Sequence, residues 1–157
     1  MFHWPRAEKW RNTLLISLAF AALTTLFGLS TGLYALAPVP DDMPRRAAVA
    51  FIAPGLLEEL AFRGPLLWLA TKRKQAPLWA IIISLSAFVA WHPVNAAVYL
   101  KEAQMLFFDW RFLTVAAGLG AVATWLALHT RSIWPPILFH WLAVCGWIAF
   151  LGAPDFF

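Results

Sequence analysis

Apolar and polar positions fall along this chain in long blocks, not in the short alternation that marks a half-buried strand. Five apolar stretches, at about residues 13–37, 47–71, 76–100, 112–129 and 133–153, are separated by brief polar joints. A helix needs about 20 apolar residues to cross a bilayer, and each stretch meets or approaches that length, the fourth being the shortest. Joints this brief predict antiparallel neighbours. The pattern therefore predicts an all-α, polytopic transmembrane helix bundle of about five spans. No polar block is long enough to fold beside it, so residues 1–157 are read as a single integral membrane domain.

Composition agrees. Hydrophobic residues make up 62% of the chain and charged residues 13%, with a mean hydropathy of +0.70. Soluble domains hold about 45–50% apolar and 25% charged residues, which sets an ordinary soluble fold aside. The net charge is +4, but the basic residues gather at the ends of the apolar stretches. That placement suits topology and lipid headgroups, and no nucleic-acid partner is expected. Cys145 is the single cysteine, so no internal disulfide can form.

Arg6, Lys9 and Arg11 before an apolar run, with Ala35-Leu36-Ala37 after it, imitate a secretory signal. The run from 13 to 37 is longer than the 7–15 residues of a signal core, and Pro38 would follow the scissile bond. It is read as a retained span. With the N-terminus cytoplasmic, that side carries Arg6, Lys9, Arg11, Lys72, Arg73, Lys74 and Arg131, against Arg45, Arg46, Lys101 and Arg111 opposite. The excess of lysine and arginine favours this orientation. Trp10, Trp68, Trp79 and Trp134 at one boundary, with Tyr34, Tyr99 and Trp110 at the other, fit two aromatic belts. Gly28-x-x-x-Gly32 matches a helix-contact pattern, but ordinary packing explains a single match.

One segment breaks the apolar pattern from within. Residues 54–65 read P-G-L-L-E-E-L-A-F-R-G-P and place Glu58, Glu59 and Arg63 mid-span. Each ionisable group there costs roughly 2.5–3.5 kcal/mol on insertion scales. Arg63 follows Glu59 by four residues, so the two share a helix face and can pair. Glu58 lies about 100° round the helix, without a local partner and directed toward another helix. Two further polar side chains lie deep in other spans. His92 stands in F-V-A-W-H-P-V-N, with Phe88 a turn before it, Asn95 three residues after it, and Pro93 opening the backbone beside it. His140 stands in W-P-P-I-L-F-H-W, where Pro135 and Pro136 suit a helix start.

A lone histidine in a span is usually a packed residue with one ring nitrogen bonded to a carbonyl. Two histidines and an unpaired carboxylate on three spans are harder to explain separately, because buried polar groups must find partners. Converging, Glu58 could take a proton from water and return it to a leaving group. One histidine could orient that water, and the other could donate to an oxygen gaining charge. This is equipment for hydrolysing an amide without a covalent intermediate.

Glu58-Glu59-x-x-x-Arg63, then Phe88-x-x-x-His92, then His140 on a late helix resembles the three-motif series of the CAAX protease and bacteriocin-processing (CPBP/Abi) family. These are glutamic-type intramembrane proteases, and the match runs from about Pro54 to Trp147. The resemblance implies that Glu58 and His92 activate the water, that His140 helps hold the oxyanion, and that Glu59 and Arg63 support them. It implies no cofactor, and a membrane-associated peptide or protein as substrate, met within the lipid bilayer. The family places Asn or Asp four residues after the last histidine, where this chain has Val144; Asn95 is the candidate to replace that donor. W-H-P-V-N with the later H-W-x-x-V is similar to a small bacterial branch that processes C-terminal sorting tags, which implies a bacterial inner membrane.

Two rivals stand beside this reading. Two histidines and a glutamate are also a zinc set, although H-E-x-x-H spacing and an obvious fourth ligand are missing. A non-catalytic binding or immunity protein could retain the pocket, and Val144 supports it. A proton-relaying transporter is disfavoured by the lack of paired inverted halves. Cys145 lies about 140° round the helix from His140, so the two do not make a nucleophilic pair. His129 suits a helix end and His3 a solvated position.

Overall fold

The computed structural model describes residues 1–154; the last three residues of the expected single domain lie outside them. All regular structure among the described residues is helical. Helix α1 spans Ala7–Thr31, α2 Met43–Ala50, α3 Leu57–Arg73, α4 Leu78–Val98, α5 Gln104–Phe107, α6 Trp110–Thr130 and α7 Trp134–Phe150. A π-helical turn, Phe51–Leu56, joins α2 to α3, and a 3-10 turn, Lys101–Ala103, leads into α5. The expected all-α polytopic bundle is what forms. Its central member is α6, which packs on α1, α3, α4 and α7, around a core of Phe88, Leu119, Ala123, Leu126 and Phe139.

The expected span limits need correction in three places. The first helix begins and ends six residues earlier than the apolar run of residues 13–37. Gly32 stops it, adopting the left-handed conformation (φ 70°) that costs glycine nothing, and its N–H returns to the Leu29 carbonyl. The following chain folds back, so that the Tyr34 ring lies where a Gly28 side chain would stand, 2.0 Å from an ideal Cβ. Gly28 and Gly32 thus serve a helix end, not a helix–helix contact. The fourth span, shortest by hydropathy, is a 21-residue helix, because Asp109 caps it early by accepting from the Arg111 N–H at 2.8 Å. Three helices, α1, α4 and α6, are long and apolar enough to cross a membrane, while apolar α7 has 17 residues.

The second expected span is one helical path in three pieces. Pro54 would collide with the carbonyl four residues back in an ordinary α-helix; the wider π turn accommodates it. Gly55 within that turn lets α7 come close, since a Cβ there would stand 3.2 Å from the Trp141 Cβ. The turn ends at Leu56, two positions before Glu58, so it sets the direction in which α3 presents its carboxylates. Pro135 and Pro136 occupy the first turn of α7, as their missing N–H groups allow.

Candidate active site

The local pair forms as spacing requires. Arg63 Nη1 lies 3.2 Å from Glu59 Oε1, with both side chains fully buried. Arg63 has two further partners, the Gly120 carbonyl on α6 at 3.0 Å and the face of Phe88, whose ring centre is 4.1 Å from the guanidinium carbon. Gly120 is a seat for this cluster. A Cβ there would stand 2.8 Å from both Leu85 and Phe88 and 3.1 Å from the guanidinium.

Glu59 does more than balance Arg63. Its Oε1 also lies 2.9 Å from His140 Nδ1, joining α3 to α7. An ionised Glu59 accepts there, so Nδ1 carries the proton. The neutral His140 ring then offers Nε2 as an acceptor, and only the imidazolium offers a second donor. His92 is fixed in the same way by its own helix, donating from Nδ1 to the Phe88 carbonyl at 3.0 Å and keeping Nε2 for other partners. Edge-to-face contacts with Phe88, Phe107 and Phe112, at 5.2, 5.4 and 5.3 Å between ring centres, hold the imidazole in place.

Glu58 takes the other direction, as its offset on the helix requires. Its Oε1 accepts from the Trp91 indole at 3.1 Å, while its buried Oε2 has no hydrogen-bond partner. Glu58, His92 and His140 line a single cavity of about 300 Å³, together with Asn95, Phe88 and Val144. Glu59 and Arg63 are not part of its wall and support it from behind. All seven site residues singled out in the sequence therefore belong to one neighbourhood, five on the cavity surface and two beneath it. Among the described residues, no three His, Cys, Asp or Glu side chains are arranged to hold a metal ion.

Sequence reasoning missed three features: the Trp91 donor, the Gly120 seat and the second role of Glu59. For Trp91 the only signal was its place next to His92. Gly120 lies in an unremarkable apolar run, and nothing in the spacing of Glu59 and His140 links them.

A family model described as type II CAAX prenyl endopeptidase Rce1-like matches residues 42–145. No curated protein and no solved structure gives a significant match. The matched segment begins just before α2 and takes in Glu58, His92, His140 and Val144; of the cavity wall, Phe20, Thr24, Tyr34 and Trp147 lie outside it. This integral membrane protein belongs to the Rce1-like family of type II CAAX prenyl endopeptidases, a family of proteases.

Proposed function

We propose that the protein is an intramembrane endopeptidase of the glutamic type, acting on a membrane-associated peptide or protein. The observation that carries this is the meeting of Glu58, His92 and His140, from three separate helices, on the wall of one cavity. Glu58 takes a proton as a water oxygen attacks the peptide carbonyl, and His92 orients that water through Nε2. The tetrahedral oxyanion is held by His140 in its imidazolium form and by Asn95. Glu58 then returns the proton to the departing amine, and the peptide C–N bond breaks. Glu59, bonded to both Arg63 and His140, orients His140. The distribution of lysine and arginine supports a cytoplasmic N-terminus, and the resemblance of W-H-P-V-N and H-W-x-x-V to a bacterial branch supports a bacterial inner membrane.

The test is cleavage of a panel of internally quenched apolar peptides by the full chain in lipid nanodiscs. Glu58→Gln should lower kcat by about 10²–10⁴-fold, the usual contribution of a general base. Cleavage by Glu58→Gln at the wild-type rate would refute the reading. Activity should survive chelation in protein shown to be zinc-free, because the donors among the described residues do not form a three-ligand set.

One observation favours a second reading. Val144, where the family has Asn or Asp, is buried on the cavity wall and offers no donor. A non-catalytic binding protein would explain it. That reading predicts unchanged cellular function in Glu58→Gln, and no precursor accumulating in the membrane proteome of Glu58→Ala cells.

A further inference from the structure

Glu58 reaches α4 through one bond, the hydrogen bond that Oε1 accepts from Trp91 Nε1 at 3.1 Å. Trp91 is not part of the cavity wall, although His92, the next residue, is. An indole N–H donates and does nothing else; it takes no part in proton transfer near neutral pH. A carboxylate on a flexible stem can present either oxygen in many directions. A single donor at one oxygen removes most of that freedom and leaves the second, here Oε2 with no partner, to serve another group. Successive residues on a helix point about 100° apart, so one turn of α4 can hold His92 against the cavity and Trp91 against Glu58 at once. The indole is steadied in turn by Tyr99, with ring centres 6.5 Å apart.

We propose that Trp91 is a positioning residue for Glu58, fixing the general base relative to His92 by a hydrogen bond from outside the substrate cavity. This rests on Glu58 being the base, as proposed above. Because Trp91 does not line the cavity, losing its N–H changes the chemical step and not substrate binding. Displaced catalytic groups cost rates of roughly 10–100-fold, and that is the expected fall in kcat, with KM unchanged.

Two substitutions in the full chain test this, assayed on the peptides that the wild type cleaves. Trp91→Phe keeps a ring and removes the donor. Replacement of Trp91 by 3-benzothienylalanine keeps the bicyclic shape and puts sulfur in place of the N–H, which maintains packing should the phenylalanine variant fold poorly. Both should lower kcat at constant KM. In proton–nitrogen NMR, the indole resonance absent from Trp91→Phe should move in Glu58→Gln, which a tryptophan without that bond would not do. Wild-type kcat in the benzothienyl protein, or an unmoved indole resonance, overturns the positioning role while leaving an inactive Glu58→Gln, and so the protease reading, intact. An active Glu58→Gln overturns both.

Discussion

Removal of the buried cation gives the sharpest test of how the site is held together. In Arg63→Met the side chain keeps comparable bulk but loses its bond to Glu59 at 3.2 Å, its bond to the Gly120 carbonyl at 3.0 Å and its place over the Phe88 ring. The Gly120 carbonyl keeps a second donor, the Thr124 hydroxyl at 2.8 Å, so little is lost there. The dominant cost is a fully buried carboxylate left without its counter-ion, about 3–5 kcal/mol when one partner of a buried pair is removed. The remaining bond from His140 to Glu59 moderates this toward the lower end. Glu59→Gln alone strands Arg63 and should cost a similar amount. The double variant removes both charges and should be more stable than Arg63→Met, so the coupling should be at least as large as the cost of Glu59→Gln alone, on the order of 3 kcal/mol. Reversible unfolding by sodium dodecyl sulfate in bicelles, followed by tryptophan fluorescence, measures all three. Single-variant costs that add to within about 0.5 kcal/mol, the range found for independent sites, would refute the claim that the pair acts as a unit.

Two further outcomes follow from the geometry. Gly120→Ala puts a methyl 2.8 Å from Leu85 and Phe88, and overpacking of this kind costs about 1–3 kcal/mol; the same unfolding assay should show it, with cleavage reduced because Arg63 and Phe88 must shift. At the start of α6, the Arg111 guanidinium bonded to Asp109 holds that carboxyl below its ordinary range. A depressed folded-state value means that the stabilisation is present at neutral pH and is lost as pH falls below about 4. Asp109→Asn should therefore lose stability at neutral pH and show a flatter acid limb than the wild type, measured by thermal unfolding across pH. An unchanged acid limb would show that the capping carboxylate has no part in it.

Much of the site was legible in the sequence, for reasons that differ between residues. The Glu59–Arg63 pair was legible because a spacing of four on a helix fixes a shared face whatever surrounds it. Glu58 was legible as a group needing a distant partner, since its offset from that face excluded a local one. Its partner was not: Trp91 lies 33 residues away, and an aromatic residue in a span reads as packing. His140 was expected to act toward substrate, and its second bond, to a glutamate 81 residues earlier, had no trace in spacing. The first helix was misplaced because apolar composition does not distinguish a span from the folded-back chain after Gly32.

By itself, then, the order of residues determined what is decided within a turn or two of helix. That covers the membrane-suited apolar blocks, the local ion pair, the proline-led start of α7 and the presence of three polar groups that hydrocarbon cannot satisfy. Only the packed bundle decided which groups satisfy them. Helix rotation, the π turn at Pro54 and the close approach over Gly120 set which faces meet, and these depend on side chains far apart in the chain. A buried charge obliges a partner by its desolvation cost; which partner it finds is a property of the whole bundle.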